Sequence, residues 1–373
     1  MLLVSLASRI IGMQVEQKGD KIIIEHLAKV APGTDLRYGI DHIIKAKTGA
    51  LVVVGDSKKV MNIAEGGFFI NCEFTSFKLY ELAKMDGAII LNNDITKIIK
   101  ANTQLIPDPS LPTNETGTRH RTAERTARQT GALVISISQK RDVVSLYFDG
   151  TKYVLDDINV VLERANQALR TLERYKTRLN EVYLSLTMLE VKNLVTLFDV
   201  ASVIQRIQML ITVSREVERY INELGIEGRL IEMQKNELMA DVVFNSIDLI
   251  KDYLDNSKDG ELQDIKEKIL LQKSEKLATI EQIIALLGYQ KDKMSKDRIV
   301  TPKGYRILSK ALKLPQSMYE ILISRFEDLP GILKAKKEDI SSIEGLDIKK
   351  AVSLIESLNT LKENITSEGV KTI

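Results

Sequence analysis

Residues 116–125 read TGTRHRTAER, a stretch in which a polar loop turns into the start of a helix. Arg119, His120 and Arg121 follow a Thr-Gly-Thr turn, and the residues after them favour a helix that ends at Gly131. A glycine-containing loop that enters a helix offers backbone N–H groups to an anion, and guanidinium groups add planar contacts to phosphate oxygens. The stretch therefore indicates a polyphosphate-binding site. A solvated basic helix start would have the same spacing, and these residues alone do not exclude it.

Length and composition bound the class of protein. A chain of 373 residues predicts two or three domains, and a net charge of +2 carries no information about nucleic acid. The one cysteine, Cys72, cannot form an intramolecular disulfide, which is typical of a reducing cytoplasm. We find no apolar run of the length that crosses a bilayer, so we expect a cytoplasmic protein without a membrane partner.

Glycine and proline divide the chain into three parts. Of the 20 glycines, 12 lie in residues 1–150 and four in residues 151–300, and no proline occurs between Pro112 and Pro302. Both residue types weaken helix interiors, so the middle part is predicted to be helical. We predict an α/β domain over residues 13–150, an all-α linker domain over 151–300 and a small all-α domain over 301–363.

Residues 13–150 contain both strand-like and helix-like patterns of hydrophobic residues. Short β-branched or apolar runs predict buried strands, and they alternate with segments of helical pattern. This alternation predicts an α/β domain with a mixed sheet. The predicted helices are 22–29, 35–45 and 78–85; the apolar runs are 50–54, 66–70, 87–91, 133–137 and 143–148.

The middle part carries apolar residues at a spacing of three and four, beginning with Ile158, Val161 and Leu162. Such a stripe is typical of an amphipathic helix. The region could be a helical bundle, a spacer or an oligomer interface, and we assign no chemistry to it.

A second polar feature precedes the basic stretch. Asp86-Gly87-Ala88 lies at a predicted helix-to-strand junction, where a carboxylate can hold a metal ion and the glycine lets a ligand approach the backbone. A plain turn aspartate is the alternative. Residues 102–118 read as a long polar loop, which in a compact domain is functional or disordered. Together these features predict a nucleotide site, although the chain has no Walker-type loop and no G-x-G-x-x-G motif.

DGA at residues 86–88, LIPDPS at 105–110 and TGTRHRTAER at 116–125 together resemble the diadenylate cyclase family. The order of domains is similar to that of its DNA-scanning members: a cyclase domain, a helical linker and a helix-hairpin-helix tail. The resemblance implies that two ATP molecules are condensed to cyclic di-AMP with release of pyrophosphate. It also implies Mg²⁺ or Mn²⁺ as cofactor and two cyclase domains that face each other within a homo-oligomer, an octamer in this family.

The resemblance also implies roles for individual residues. Asp86 binds the metal and helps to activate the 3′-hydroxyl, and Arg119, His120 and Arg121 complete the catalytic set. The residues implied to bind ATP are Gly87, Ala88, Leu105, Thr118, Arg119, His120, Arg121, Thr122, Ser138 and Arg141. Some relatives have an arginine where this chain has Gln139, which puts the role of that position in doubt.

The tail resembles tandem helix-hairpin-helix motifs, which bind the DNA backbone, here branched DNA, without reading its sequence. Gly345, Lys349 and Lys350 are the implied DNA-binding residues. The chain departs from the pattern, because the first hairpin lacks glycine and Asp347 stands where a second glycine is usual. With 12 basic and 10 acidic side chains in residues 301–373, a packing module that no longer binds DNA well is the alternative.

Two functions of different class therefore remain. The first is a diadenylate cyclase coupled to DNA-structure sensing and repair. The second is a DNA-binding scaffold whose nucleotide domain senses ATP without cyclase activity.

Overall fold

The structure is a computed structural model that describes residues 18–139, 143–270, 277–290, 294–311, 316–343, 352–357, 359–360 and 363. These residues form two compact units. We call Lys18–Asn166 with Glu218–Glu232 the α/β unit. We call Gln167–Val217 with the described residues of Met233–Ile373 the helical unit.

The α/β unit alternates short helices with strands. Its helices are α1 (Lys18–Lys29), α2 (Asp35–Lys45), α3 (Lys58–Asn62), α4 (Ser76–Leu82) and α5 (Thr118–Thr130). Its strands are β1 (Ala50–Val54), β2 (Ala64–Glu65), β3 (Phe68–Glu73), β4 (Ala88–Leu91), β5 (Lys97–Leu105), β6 (Leu133–Ile137), β7 (Val144–Phe148) and β8 (Thr151–Leu155).

The strands form one sheet in the order β2-β5-β4-β1-β6-β7-β8, with β3 paired to β5. β1 and β4 are parallel, and the other pairs are antiparallel, so the predicted mixed sheet is confirmed. Both faces of the central strands are covered: Val52 packs with residues of α1 and α2, whereas Val53 packs with α5. Side chains alternate between the faces of a strand, so each face receives every second residue.

The sequence patterns located most of these elements. Helix 35–45 and strand 50–54 have the predicted bounds, and α5 ends before Gly131, which adopts a left-handed conformation (φ 72°). The loop expected from residue 102 begins only after Leu105, because β5 continues to that residue with alternately exposed and buried side chains. The sheet also extends beyond the expected domain end at residue 150, since β8 forms its edge at residues 151–155.

Residues 158–311 are predominantly helical. The helices are α6 (Ile158–Lys192), α7 (Leu197–Leu224), α8 (Arg229–Met239), α9 (Val242–Tyr253), α10 (Leu262–Leu270), α11 (Ile280–Leu286) and α12 (Tyr305–Ala311). α6 and α7 are separated at Asn193, which has a positive φ of 54°. By length and composition alone, an apolar window within Leu197–Tyr253 could cross a membrane. Half of that window is buried, as in the core helix of a globular protein, so it is weak evidence for a membrane span.

The tail continues with α13 (Gln316–Phe326), α14 (Leu329–Lys334) and α15 (Lys337–Ser341), and residues 352–357 are helical. A small apolar core containing Leu308, Leu322 and Leu354 holds these helices together. The predicted DNA-binding residues Gly345, Lys349 and Lys350 lie outside the described residues, as do residues 312–315 of the first hairpin.

A buried polar network joins the start of the tail to the linker helices inside the helical unit. Arg306, only 1% exposed, forms an ion pair with the buried Glu190 of α6 and donates to Thr187 Oγ1 at 2.9 Å. The carboxylate of Asp252 in α9 accepts backbone N–H groups of Gly304, Tyr305 and Arg306 at 2.6–3.0 Å. Asp252 therefore stabilises the first turn of α12. The expected boundary at residue 300 thus lies within one packed structure.

Candidate active site

The sheet register brings several of the predicted site residues to one edge. β4 lies beside β1 with Ala88 next to Leu51, and the antiparallel β5 places Thr103 next to Ala88. The starts of β1 and β4 therefore lie level with the end of β5. Asp86 lies two residues before Ala88, and Leu105 lies two residues after Thr103. Asp86 and Leu105 therefore lie at the same edge of the sheet.

The end of β6 lies at the same edge. Ile137 is paired with Ala50 at the start of β1, which places Ser138 level with Gly49. Adjacent strands are about 4.8 Å apart, so Asp86 and Ser138, two strands away from each other, are separated by about 10 Å along the edge. We call the starts of β1 and β4 with the ends of β5 and β6 the site edge.

Gly87 is required by the way β4 enters the sheet. Its φ is +88°, and a Cβ there would lie 2.9 Å from backbone atoms of Asn102 and Thr103. Backbone atoms of a paired strand cannot move aside, so a larger residue would separate β4 from β5. The close approach leaves Asp86 exposed at the edge, directly before the buried Ala88.

Helix α5 presents its amino end without a side-chain cap. Gly117 occupies the N-cap position, and a glycine has no side chain that could cap the N–H groups of the first turn. The N–H groups of the first turn of a helix have no partner within the helix, and the helix dipole favours an anion there. The exposed Thr118 and the half-buried Thr122 add hydroxyl groups to this end of the helix.

Arg119 connects this helix start to the site edge. Its Nη1 donates to the carbonyl oxygen of Ile137 at 3.3 Å. The guanidinium occupies the space that a side chain at position 49 would take, since a Cβ on Gly49 would lie 2.0 Å from Nη1. Arg121, by contrast, is exposed and donates to the carbonyl oxygen of Thr116 at 3.1 Å. The two arginines thus contact different parts of the chain.

His120 belongs to a hydrogen-bonded chain that leads across β7 and β8. Its Nδ1 lies 3.0 Å from the hydroxyl of Tyr147, which donates to Glu115 Oε1, also at 3.0 Å. Lys152 Nζ lies 2.5 Å from the same carboxylate oxygen. Burial works to raise the pKa of Glu115, but the hydrogen bonds from Lys152 and Tyr147 lower it below its ordinary value. Burial and Glu115 raise the pKa of Tyr147, which therefore stays protonated.

Hydrogen bonds hold the long loop before α5 against that helix. Thr113 Oγ1 donates to Glu124 Oε2 at 2.6 Å, and Arg128 pairs with the other carboxylate oxygen of Glu124 at 2.8 Å. Arg125 Nε donates to the carbonyl oxygen of Leu111 at 2.9 Å. Burial opposes ionisation of Glu124, but Thr113 and Arg128 lower its pKa below the ordinary value. This loop is ordered by the helix that bears the basic stretch.

The predicted residues thus divide into groups. The site edge gathers Asp86, Gly87, Ala88, Leu105 and Ser138, and Arg119 reaches it from α5. His120 faces β7, and Arg141 lies outside the described residues. The sequence interpretation missed Gly49, Glu115, Tyr147 and Lys152. A glycine directly before the first buried strand was the one available signal, because the other three are linked only through tertiary contacts.

The part of the chain that the structure describes offers few side chains for a metal ion. Among the described residues no group of three or more His, Cys, Asp or Glu side chains could hold a metal ion. Mg²⁺ commonly binds through one or two carboxylates and substrate phosphates, with water completing the octahedron. A single exposed carboxylate such as Asp86 fits that mode of binding, in which the nucleotide supplies further ligands.

Comparison with known proteins gives consistent matches along the chain. The family model described as DisA bacterial checkpoint controller nucleotide-binding matches residues 37–152, and the one described as DisA bacterial checkpoint controller linker region matches residues 155–296. The DNA integrity scanning protein DisA of Acetivibrio thermocellus is 45% identical over 357 residues, which cover 96% of this chain and 99% of that protein. Its counterpart in Carboxydothermus hydrogenoformans is 47% identical over 344 residues, covering 92% and 98%.

Among solved structures, DacA from Staphylococcus aureus is 22% identical, and the match covers 40% of this chain and 97% of that chain. Its TM-score is 0.28, so no structural detail is carried over.

Proposed function

The chain belongs to the family of the DNA integrity scanning protein DisA, and from this premise we propose that it condenses two ATP molecules into cyclic di-AMP. Its nucleotide-binding domain is of the diadenylate cyclase type. The observation that carries the proposal is the convergence of Asp86, Leu105 and Arg119 on the site edge, beside the uncapped start of α5.

The reaction joins two nucleotides symmetrically. The 3′-oxygen of each ATP attacks the α-phosphorus of the other, a new phosphodiester bond forms, and the α–β phosphoanhydride bond breaks. Two pyrophosphates leave, and each 3′-hydroxyl gives up its proton. Catalysis of phosphoryl transfer is mostly positioning and charge neutralisation. A site made of one carboxylate, backbone N–H groups and cations suits this chemistry.

The residues of this chain take complementary roles. Asp86 assists deprotonation of the 3′-hydroxyl, and Gly87, Ala88 and Leu105 line the nucleoside pocket. Thr118, Arg119, His120, Arg121, Thr122, Ser138 and Arg141 hold the phosphates. Because Arg119 contacts the site edge whereas Arg121 points back to its own loop, we assign Arg119 to phosphates nearer Asp86 and Arg121 to phosphates farther from it.

Asp86 would hold the divalent ion, Mg²⁺ or Mn²⁺. When bound, such an ion neutralises phosphate charge and lowers the pKa of a coordinated hydroxyl. The described residues contain no group of three or more His, Cys, Asp or Glu side chains that could hold an ion, which suits an ion that arrives with the nucleotide.

A second copy of the chain supplies the other half of the reaction, since one site holds one ATP. The α/β unit has exposed aromatic side chains suited to a protein interface: Phe68 is 60% exposed, Phe69 70% and Phe77 64%. We propose a homo-oligomer, an octamer as in the family, in which two α/β units face each other. Helix α6 is a candidate for the contribution of the linker.

We further propose that the tail binds branched DNA through two helix-hairpin-helix motifs and reports DNA structure to the cyclase, in the cytoplasm. Support comes from the family and from the packed helices α12–α15. Lys349 and Lys350 are the assigned phosphate-binding residues.

The test is incubation of the purified protein with ATP and either Mg²⁺ or Mn²⁺, followed by mass analysis of the products. Wild-type protein should yield cyclic di-AMP, and Asp86→Asn should not. Asp94→Asn is the matched control, because Asp94 is an exposed turn carboxylate that follows β4, at the opposite end of that strand. ATP returned unchanged by folded, oligomeric wild-type protein would favour the ATP-sensing DNA-binding scaffold instead.

A further inference from the structure

The hydrogen-bonded chain behind the basic stretch fixes where His120 carries its protons. The phenol of Tyr147 has one proton, and it is donated to Glu115 Oε1. In the contact with His120 the tyrosine oxygen must then accept, so the imidazole donates from Nδ1. Nδ1 therefore carries a proton, and when the ring takes up its second proton Nε2 becomes a donor that can bind a phosphate oxygen.

Glu115 is held in the ionised form that this arrangement requires. Lys152 binds the same carboxylate oxygen that accepts the tyrosine proton, and its ammonium group favours the charged carboxylate. Tyr147 itself is 1% exposed, so water does not compete for its hydroxyl. A partly buried hydrogen-bond chain anchored by an ion pair has one favourable proton arrangement and keeps its members in place.

We propose that Tyr147 and Glu115 are positioning residues of the cyclase, which orient the His120 ring through its Nδ1–H so that the imidazolium directs its Nε2–H toward phosphate. The proposal rests on the proposed function. It goes beyond that function, because neither residue lies in the basic stretch or at the site edge. Histidine ligands in metal sites show the same positioning effect, because an acceptor on one ring nitrogen fixes the orientation of the ring.

Charged groups on helix α5, on the loop before it and on β8 surround the His120 ring. They are Arg119, Arg121 and Glu124 on its own helix, Glu115 on the preceding loop and Lys152 on β8. The charge of Glu124 is balanced by Arg128, so Glu115 is the carboxylate connected to the ring.

The chain offers a matched control for a test. Tyr153, on the strand next to Tyr147, also donates from its hydroxyl to a carboxylate, Glu223 Oε2, at 2.8 Å. Tyr147→Phe and Tyr153→Phe each remove one phenol hydroxyl and one tyrosine–carboxylate hydrogen bond from the same unit. Only the first removes the hydroxyl that contacts His120 Nδ1.

The experiment measures kcat and KM for cyclic di-AMP formation by wild type, Tyr147→Phe, Tyr153→Phe, His120→Asn and the Tyr147→Phe/His120→Asn double variant. We expect kcat of Tyr147→Phe to fall about 10- to 100-fold with KM little changed, by analogy with outer partners of ligating histidines. Tyr153→Phe should retain wild-type kcat. In the His120→Asn background, Tyr147→Phe should cause no further loss, because residues that act as a unit are not additive.

Two variants of Glu115, together with thermal unfolding, distinguish a loss of His120 orientation from a general loss of stability. Glu115→Gln keeps an oxygen that can accept the tyrosine proton, so it should lose less activity than Glu115→Ala. Thermal unfolding of Tyr147→Phe and Tyr153→Phe should be similar, because both keep the ring.

The possible outcomes are distinct. Two results would overturn the inference and leave the proposed function standing. One is a wild-type kcat in Tyr147→Phe. The other is a loss of kcat on Tyr147→Phe that is equally large in the wild-type and His120→Asn backgrounds. Absence of cyclic di-AMP from wild type and Tyr153→Phe alike would overturn the proposed function and this inference with it.

Discussion

A methyl group at position 49 should disable the site without unfolding the protein. Gly49 has no positive φ, so alanine is compatible with its backbone. A Cβ there would lie 2.0 Å from Arg119 Nη1 and 3.1 Å from the carbonyl oxygen of Ile137. The near atom is the end of a long, flexible side chain, which can move away at little cost to the fold. Gly49→Ala therefore displaces mainly Arg119, while the carbonyl of Ile137 has to shift by only a few tenths of an ångström.

The distances set the size of the effect. Ordinary contact with a Cβ begins at 3.4 Å, so Nη1 must withdraw by about 1.4 Å and lose its hydrogen bond to Ile137. A misplacement of about 1 Å in a group that positions substrate can lower the rate about 100-fold, equivalent to about 2.7 kcal/mol of transition-state stabilisation. We expect a loss of kcat/KM of that order, with a thermal midpoint close to that of wild type.

The assay is the initial rate of cyclic di-AMP formation over a range of ATP concentrations, alongside thermal unfolding. Gly260→Ala is the control, because a Cβ at that glycine meets nothing within 4 Å. Gly87→Ala gives the contrasting case, in which the clash is with backbone and the φ is positive, so stability should fall together with activity. Wild-type kcat/KM in Gly49→Ala would refute the assignment of Arg119 to the site edge.

Three further perturbations separate catalysis, DNA binding and stability. Asp86→Asn should abolish synthesis while size-exclusion chromatography still shows the wild-type assembly; a smaller assembly would contradict a purely catalytic role. Lys349→Glu combined with Lys350→Glu should weaken DNA binding in a mobility-shift assay and spare basal synthesis, whereas unchanged affinity would remove these lysines from the interface. Burial, reinforced by the charge of Glu190, raises the pKa of Asp252 from 3.8 to about 7. Its contribution to stability is therefore complete below about pH 4 and lost as the pH rises through about 7. Wild type should accordingly lose its stability advantage over Asp252→Asn in chemical denaturation as the pH rises from about 4 to about 7, and a constant advantage would contradict the raised pKa.

The elements that could be read from the sequence are those with a strong local signal. The strand Ala50–Val54 is fully buried and β-branched, and α5 has both a basic start and a glycine end. The end of β5 falls within the loop predicted from residue 102, because Asn102 and Gln104 are polar and exposed, although Thr103 and Leu105 between and after them are buried. The edge strand β8 has no fully buried residue and therefore no apolar run to detect.

The site could be predicted where its residues are close in sequence. Asp86 and the basic stretch were identified from motifs, but their relation depends on the order of the strands, which no local pattern specifies. Tyr147 lies 27 residues from His120, and Glu115 lies 32 from Tyr147. A tyrosine inside an apolar strand reads as core, and its hydroxyl acquires a second role only when the sheet places it beneath α5.

The buried ion pair of Arg306 with Glu190 limits where the tail can be removed or exchanged. A chain ending at residue 300 would lose Arg306 and the N–H groups that Asp252 binds, so Glu190 would keep only its hydrogen bond from Tyr253 among the bonds described and Asp252 would lose its three backbone donors. Removing one member of a buried ion pair costs about 3–5 kcal/mol, a large share of the roughly 5–15 kcal/mol that stabilises a typical domain. Deletion of the tail, or its exchange for that of a relative, is therefore tolerated only if the first turn of α12 and its arginine remain. The natural point of recombination between linker and tail lies after Arg306.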